Sequence, residues 1–238
     1  MATILVKQST GERAVFFERS TATEPEFLDT HKQLIGSTYI LHINGRHRQL
    51  MRSAMAVAKE VGTIISLDGG AQRYDEDMKP ITEASHIVIV ARDYAEKYTG
   101  TTNLEDACRI IHERGAFIAG VTDGANGSYF VWPDGTSYRC EPFTQATVVD
   151  TTGAGDSFHG AFLANLVHTI NHMMGQDATS TNKHDRASIH AVELLKACAH
   201  SDLEKAAIFA SAVASLNTQG IGGRSPLPTL KSVQELIG

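Results

Sequence analysis

The stretch from Asp150 to Phe158 limits what this chain can fold into more than any other, because it joins a strand, a glycine turn and a helix start. The apolar run 146–149 predicts a short buried strand, and an apolar pattern of helical period runs from about Ser157 to Met174. The first N–H groups of a helix lack acceptors within it, and the helix dipole adds partial positive charge there. The stretch therefore predicts an anion site at the helix start.

Three residues of the stretch indicate what the anion site does. Gly153 and Gly155 lack a Cβ atom, so a phosphate can approach the backbone closely. Asp156 would repel a phosphate, which favours a role as the base that takes the proton of an attacking hydroxyl. An acid in the first turn of a helix is also common for stability alone. The spacing by itself leaves both interpretations open.

The full string DTTGAGDSFHGAF, residues 150–162, resembles the C-terminal signature of the PfkB (ribokinase-like) family of sugar and nucleoside kinases. In that family the glycines form the anion hole for the transferring phosphoryl group, and the aspartate is the catalytic base. Carried over, Gly153, Ala154 and Gly155 supply backbone donors and Asp156 is the base. The resemblance implies ATP and Mg²⁺ as cofactors, with a monovalent cation as a further candidate, and a small sugar as substrate.

The composition fits one large domain in which an extensive core is buried. The chain has 238 residues, of which 42% are hydrophobic and 20% charged, and its net charge of -6 argues against a nucleic-acid surface. No stretch has the length and apolarity of a membrane span, and the first residues lack a secretory pattern. The three cysteines show neither metal nor redox spacing, which predicts reduced thiols in a cytoplasmic protein.

Strand and helix patterns alternate along the chain. Predicted strands cover 3–8, 13–19, 38–44, 63–68, 86–91 and 116–122, followed by a hairpin of 128–132 and 136–140. Predicted helices cover 49–61, 78–84, 103–115, 188–199, 202–217 and 229–237. This order predicts an α/β fold with a mainly parallel sheet and helices on both faces, which is also what a ribokinase-like kinase implies. Such sheets bind ligands at the carboxyl ends of their strands.

Two glycine-containing stretches are candidates for nucleotide binding. The turn Thr122–Gly127 follows a predicted strand and is by itself typical of the start of a hairpin. Beside the Asp156 motif it resembles the family's T-x-G-x-x-G, which implies nucleotide contacts at Thr122, Gly124 and Gly127. The segment 217–223 resembles the part of the family that borders adenine, which implies Gly220 and Gly222. A helix C-cap explains these last two glycines equally well.

Candidate residues for binding the acceptor follow two other predicted strands. His42–Arg46 resembles the corresponding segment of ketohexokinases, which implies that Asn44 and Arg46 face the sugar and the phosphates. A turn with a surface arginine is the plain alternative. Asp68, Gly69 and Gly70 end the next strand and are expected to line the cleft.

The sequence departs from the family in two places. Ala91 and Tyr94 stand where many members carry Asn-x-x-Glu, whose acid helps to organise Mg²⁺ and phosphates. The resemblance also covers only the later part of a typical member. We therefore expect one kinase domain over 1–238 that lacks the N-terminal strands and part of the lid, with 1–20 as a lid or early-sheet hairpin. A truncated gene, an expressed fragment, or a shortened protein that covers its exposed sheet face with a partner subunit, such as a second copy in a homodimer, would each explain this difference.

The histidines at 168, 172, 184 and 190 show only one pair at i, i+4 spacing and no obvious acidic third ligand, so solvated histidines on a polar surface segment explain them better than a metal site. The leading functional hypothesis is an ATP-dependent sugar kinase. A non-catalytic nucleotide-binding module and a nucleoside kinase of the same family are the alternatives.

Overall fold

A computed structural model describes residues 2–7, 9, 13–17, 21–144, 147–174 and 191–238. The strands are β1 (Ala2–Val6), β2 (Arg13–Phe17), β3 (Ile40–Ile43), β4 (Ile64–Gly69), β5 (Ile87–Ala91), β6 (Ile118–Thr122), β7 (Ser128–Val131) and β8 (Ser137–Cys140). The helices are α1 (Asp29–Gly36), α2 (Arg48–Val61), α3 (Lys79–Glu83), α4 (Arg92–Thr99), α5 (Leu104–Glu113), α6 (Ala154–Met173), α7 (Ala191–Lys196), α8 (His200–Asn217) and α9 (Leu230–Ile237). Short 3₁₀ turns cover Glu76–Met78 and Gly124–Asn126.

Within the described residues, β3 to β8 form one sheet in sequential order. The strands β3, β4, β5 and β6 are parallel, and β7 and β8 add an antiparallel edge. The strands β1 and β2 pair with each other in a separate antiparallel sheet. The predicted mainly parallel sheet and both predicted hairpins are therefore confirmed. Every parallel strand directs its carboxyl end to the same edge of the sheet, which is where ligands bind in such folds.

Helices cover both faces of the sheet, as the sequence predicted. On one face, Ile64, Ile87 and Ile118 pack against Phe162 of α6 and Ala207 of α8. The other face buries a second set of side chains against α2, α3, α4 and α5, including Ile65, Leu67, Val88, Val90 and Ile111. Burial on both faces explains why the parallel strands are continuously apolar.

Local sequence signals set several helix boundaries. The side chain of Asn103 accepts hydrogen bonds from the N–H groups of Glu105 and Asp106 at the start of α5. Helix α2 ends at Gly62, whose φ of 77° lies in the left-handed region that glycine tolerates best. Both boundaries agree with the sequence-based prediction.

One predicted strand was wrong, and two helices were missed. Residues 147–149 are not a strand, because the N–H groups of Val149 and Asp150 both donate to the carbonyl of Thr218 beyond α8 (residue 146 lies outside the described residues). Helices α1 and α4 were not predicted. Helix α4 begins directly after β5. Tyr94 and Tyr98 lie on its buried side, and the sequence pattern of this segment did not distinguish a helix from a loop.

The histidine-rich segment was predicted to be a surface excursion from 168 onward. Helix α6 continues through His168 and His172, which are both exposed, and buries Ile170 between them. The histidines at 184 and 190 lie outside the described residues. None of the helices in the described ranges is long and apolar enough to span a membrane.

Candidate active site

The start of α6 presents backbone N–H groups at the position where the sequence predicts an anion site. Gly153 precedes the helix with a φ of 79°, and its carbonyl accepts the N–H of Ser157 at 2.8 Å. The N–H of Ala154 donates to Thr151 at 3.3 Å, while those of Gly155 and Asp156 have no acceptor in the described part of the chain. Two free donors at the positive end of a 20-residue helix are suited to an anionic group.

A buried carboxylate holds the loop that leads into α6. Asp150 accepts hydrogen bonds from the N–H groups of Thr152 at 2.8 Å and Gly222 at 2.9 Å. The side-chain amide of Asn217 donates to the carbonyl of Thr152 at 3.2 Å. The loop before α6 is thus fixed by hydrogen bonds to the segment after α8.

The turn after β6 is closed by its own backbone. The N–H of Asp123 donates to the carbonyl of Gly127 at 2.9 Å, and the N–H of Gly127 donates to Gly124 at 3.1 Å. Only glycine fits at Gly127, because its φ is 87° and a Cβ atom would overlap the carbonyl oxygen of Cys140. The turn therefore keeps this shape only with glycine at position 127.

An ion pair anchors this turn to the neighbouring strand. The Nε of Arg92 donates to one carboxylate oxygen of Asp123 at 2.6 Å, and its Nη2 contacts the other oxygen. This two-point contact holds the pKa of the Asp123 carboxyl below its usual range. It joins the first turn of α4 to the residue after β6, so the carboxyl ends of two strands are tied together.

A cavity of about 370 Å³ lies between the turn and α6. Thr122, Gly124, Gly127, Ala154 and Gly155 line it, so the predicted nucleotide turn and the predicted anion site open into one space. Its remaining wall is mostly apolar and consists of Pro142, Phe143, Val148, Phe158, Ala214 and their neighbours. A mostly apolar cleft with a few polar groups is the usual form of a small-molecule site.

The residues predicted to face the acceptor lie at the ends of β3 and β4. The Oδ1 of Asn44 accepts the N–H of Arg46 at 3.3 Å, and the carbonyl of Asn44 accepts from Arg73 at 3.2 Å. The side chain of Arg46 is exposed. Asp68 is buried at the end of β4, with an oxygen 3.3 Å from the Nε2 of His159 on α6. Burial raises the pKa of the Asp68 carboxyl, and the negative charge of Asp156 adds to this effect.

Not all predicted site residues share the cavity. Gly220 and Gly222 do not line it: Gly220 packs on Pro226, and Gly222 supports Asp150 through its N–H group. Asn44 and Arg46 do not line the cavity either, and Asn44 is connected to Asp68 through the side chain of Arg73. The predicted residues thus fall into three groups: those that line the cavity, those at the ends of β3 and β4, and the loop residues that support the start of α6.

Sequence reasoning missed part of the cavity wall and the buried cluster beside it. The residues Ser211, Ala214, Ser215 and Thr218 on and after α8 line the cavity. Their small side chains at i, i+3, i+4 and i+7 spacing were a signal that could have identified this face. His159 was also missed, although a histidine within the buried stripe of α6 is an unusual choice of residue.

The sequence model of the pfkB family carbohydrate kinases matches residues 1–230 of this chain. The chain belongs to this family. A bifunctional ribokinase/ribose-5-phosphate isomerase A of Fructilactobacillus sanfranciscensis is 25% identical over 230 residues, covering 94% of this chain and 36% of that protein. The family match and the strand order agree with the ribokinase-like fold expected from the sequence.

Solved structures share the fold of this PfkB chain. The ribokinase of Arabidopsis thaliana, solved with ribose and ATP, superposes with a TM-score of 0.68 at 21% identity, over 99% of this chain and 68% of that one. The fructokinase of Vibrio cholerae, solved with fructose, ADP and a calcium ion, gives a TM-score of 0.66 at 20% identity, over 100% of this chain and 73% of that one. The chain thus spans between about a third and three quarters of these relatives.

Proposed function

We propose that this protein transfers the γ-phosphoryl group of ATP to a hydroxyl group of a sugar. The observation that carries the proposal is the position of Asp156 in the first turn of α6, beside the unbonded N–H group of Gly155. A base and an anion site then flank the point at which an acceptor oxygen would meet the phosphorus atom. The match to the carbohydrate kinase family supports the same reaction.

The cavity supplies the nucleotide side of this reaction. The adenine ring takes the apolar wall around Phe143 and Ala214, and the phosphates run along the turn from Thr122 to Gly127 towards α6. The γ-phosphoryl group then meets the N–H groups of Gly155 and Asp156. These donors stabilise the negative charge on the transferring group without having to move.

Asp156 and the α6 start act together on the acceptor. The carboxylate accepts the proton of the attacking hydroxyl while that oxygen bonds to the γ-phosphorus and the bond to the ADP oxygen breaks. Asp156 is exposed, so an acceptor can reach it. Catalysis of this kind depends on position and charge rather than on a covalent intermediate.

The described residues provide few side-chain ligands for Mg²⁺. Tyr94 replaces the acid of the family's Asn-x-x-Glu, and its hydroxyl lies 2.7 Å from Thr82 in the core. No group of three or more His, Cys, Asp or Glu side chains within the described residues is arranged to hold a metal. Mg²⁺ would therefore be held by the nucleotide rather than by side chains of this chain, and it would supply neutralisation of the phosphate charge.

A monovalent cation fits the loop behind the anion site. The Oγ1 of Thr152 and the Oδ1 of Asn217 are buried without a hydrogen-bond partner in the described part of the chain. Both lie beside the loop that the buried carboxylate of Asp150 holds. Oxygen atoms of this kind suit K⁺ or Na⁺, and a cation there would offset the carboxylate charge and stiffen the loop.

The β1–β2 hairpin supports the proposal of a lid that pairs with a second copy. Ile4, Leu5 and Phe16 are 42%, 58% and 59% exposed on this two-stranded sheet. Isolated two-stranded sheets are marginal in water, so a partner that covers these side chains would stabilise the hairpin. Native mass spectrometry of the chain should show a dimer, and Phe16→Lys should shift it towards monomer.

The experiment that tests the proposed function measures ADP release from Mg-ATP with D-fructose, D-ribose, other sugars and nucleosides. Asp156→Asn should keep the fold and nucleotide binding and lower turnover roughly 10²- to 10⁴-fold, the usual contribution of a positioned base. Asp202→Asn is the matched control, because Asp202 is the first-turn acid of α8 and lies away from the cavity.

Each alternative has its own outcome in this experiment. Equal loss of turnover in both variants would mean that Asp156 acts only as a helix-start acid. Nucleotide binding without acceptor-dependent release from the wild type would favour the non-catalytic module. Release with nucleosides in place of sugars would identify a nucleoside kinase.

A further inference from the structure

A buried polar cluster lies on the acceptor side of α6, and the proposed reaction leaves it without a role. It consists of Asp68 at the end of β4, Arg73 in the following loop, and His159 on α6. Asp68 is 7% exposed and His159 is 4% exposed. Burying ionisable groups costs stability unless they are paired, so a cluster of this kind needs a reason.

The contacts of the cluster join three elements. The Nε2 of His159 lies 3.3 Å from the Oδ1 of Asp68, and the Nη1 of Arg73 lies 3.7 Å from the Oδ2. The same Nη1 donates to the carbonyl of Asn44 at 3.2 Å. The carboxylate of Asp68 is therefore held between the helix that carries Asp156 and the loop that carries Asn44.

The protonation states follow from burial. Burial, with a smaller contribution from the neighbouring His42, lowers the pKa of His159 to about 3, so the imidazole is neutral. The Nε2 of His159 lies 3.3 Å from the Oδ1 of Asp68, so a neutral imidazole protonated at Nε2 would direct its N–H group at that carboxylate. Burial also raises the pKa of the Asp68 carboxyl, because Arg73 is too distant to compensate fully. Asp68 thus retains acceptor capacity that no protein donor in the described residues satisfies at short range.

We propose that Asp68 binds a second hydroxyl of the sugar acceptor, and that His159 positions Asp68 relative to Asp156. This inference rests on the proposed function. His159 follows Asp156 by three residues, about one helical turn, so the two side chains move with the same helix. In this proposal the 3.3 Å contact between His159 Nε2 and Asp68 sets how far the acceptor-binding carboxylate lies from the base. The acceptor is then a polyol with a hydroxyl close to the one that is phosphorylated.

Two further observations support an acceptor site at this position. The loops after β3 and β4 each hold a non-glycine residue in the left-handed region, His47 with φ of 51° and Gln72 with φ of 62°. Backbone of this kind is strained and is concentrated at ligand sites. His42 is exposed beside the cluster, with its ring 5.6 Å from that of His159, so the cluster is bordered by an accessible polar surface.

The first test compares KM values in four variants. Asp68→Asn and His159→Leu should raise KM for the acceptor about tenfold or more and change KM for ATP less than twofold, because loss of a buried polar partner weakens acceptor binding selectively. His159→Gln, which can place an amide donor near the position of Nε2, should restore most of the affinity. Ile170→Val is the control, a buried apolar change on the same helix without a polar contact. Equal effects on both substrates, or equal effects of Leu and Gln, would overturn the positioning role.

The second test does not depend on turnover. Nitrogen-15 NMR of histidine-labelled full-length chain, with His159 assigned through His159→Gln, should show a neutral imidazole protonated at Nε2 from pH 5 to 8. D-fructose or D-ribose should shift these signals in the wild type and not in Asp68→Asn, whereas ADP alone should not. A shift without turnover would contradict the proposed catalysis and support this inference. Turnover without a shift would overturn this inference and leave the proposed catalysis standing. If neither turnover nor a shift is observed, both the proposed catalysis and this inference are overturned.

Discussion

The Cα atom of Gly223 lies directly against Gly153, so that a methyl group added to Gly153 would overlap it and stand 2.9 Å from its carbonyl oxygen. This contact presses the segment after α8 onto the residue before α6. Both partners belong to the backbone, and neither can move aside as a flexible side chain could. The close approach of these two glycines therefore fixes the position of the anion site.

Gly153→Ala should destabilise the protein and abolish turnover. Its φ of 79° disfavours any residue with a Cβ atom, and the overlap with Gly223 adds to that strain. We expect the free energy of unfolding in urea to fall by about 2 kcal/mol or more. Gly160→Ala is the control, since that helical position has nothing within 4 Å of an added Cβ and should be neutral or stabilising. Equal stabilities of the two variants would contradict the prediction.

Gly155→Ala should lower activity without affecting the fold. An added Cβ atom meets nothing within 4 Å, so the fold and the melting temperature should be retained. The same methyl group stands beside the N–H donors at the cavity mouth, where it obstructs a phosphate. We expect KM for ATP to rise and turnover to fall at least tenfold, measured by ADP release at saturating acceptor. Unchanged kinetics would mean that the phosphoryl group does not approach α6 at Gly155.

The sheet and the anion site could be predicted from sequence because their signals are local. Asn103 as a cap, Gly62 as a helix stop and the continuous apolar strands each act through neighbouring residues. The wrong strand at 147–149 depended instead on Thr218, about seventy positions away, whose carbonyl takes the backbone donors that a strand would use. No local pattern contains that information.

The acceptor-side cluster was hidden for the same reason. Asp68 could be placed at a strand end, but its contact with His159 spans about ninety residues and two elements. The order of the elements predicts that β4 and α6 belong to one layered fold. It does not predict which side chain of α6 reaches the end of β4, because that depends on how the helix is rotated about its axis.

The pair formed by Arg92 and Asp123 should make stability depend on pH in acid. Hydrogen bonding to Arg92 lowers the folded-state pKa of Asp123, so its stabilisation is full above the ordinary aspartate pKa and is lost as pH falls through the folded value. Because Arg92 is partly exposed, we expect a contribution of about 1 kcal/mol at pH 7.

Urea unfolding of wild type and Asp123→Asn between pH 7 and pH 3 measures this contribution. The difference in unfolding free energy should be constant down to about pH 4 and shrink below it. Asp29→Asn is the control, because Asp29 and Lys32 form an exposed pair within one helix at 3.0 Å and should contribute little. A difference that does not change with pH would show that the ion pair is not its source.

Replacing Tyr94 with the glutamate that many family members carry should destabilise this chain. Tyr94 is fully buried, its hydroxyl lies 2.7 Å from Thr82, and its ring meets the edge of Tyr74 at 5.2 Å. Burial raises the pKa of Tyr94 to about 12, which keeps it neutral. A glutamate in its place would bring a charge into the core without a cationic partner in contact, at a cost of several kcal/mol.

Tyr94→Glu should therefore lower the melting temperature strongly at pH 7 and less at pH 5, because protonation removes the buried charge. Tyr94→Phe is the matched control. It loses only the hydroxyl contact, while Thr82 still donates to the carbonyl of Met78 at 2.8 Å, so it should cost about 1 kcal/mol. A glutamate variant that is as stable as the phenylalanine variant and needs less Mg²⁺ for turnover would contradict this account. It would mean that α4 can rotate its buried side towards the phosphates, as the family's motif requires.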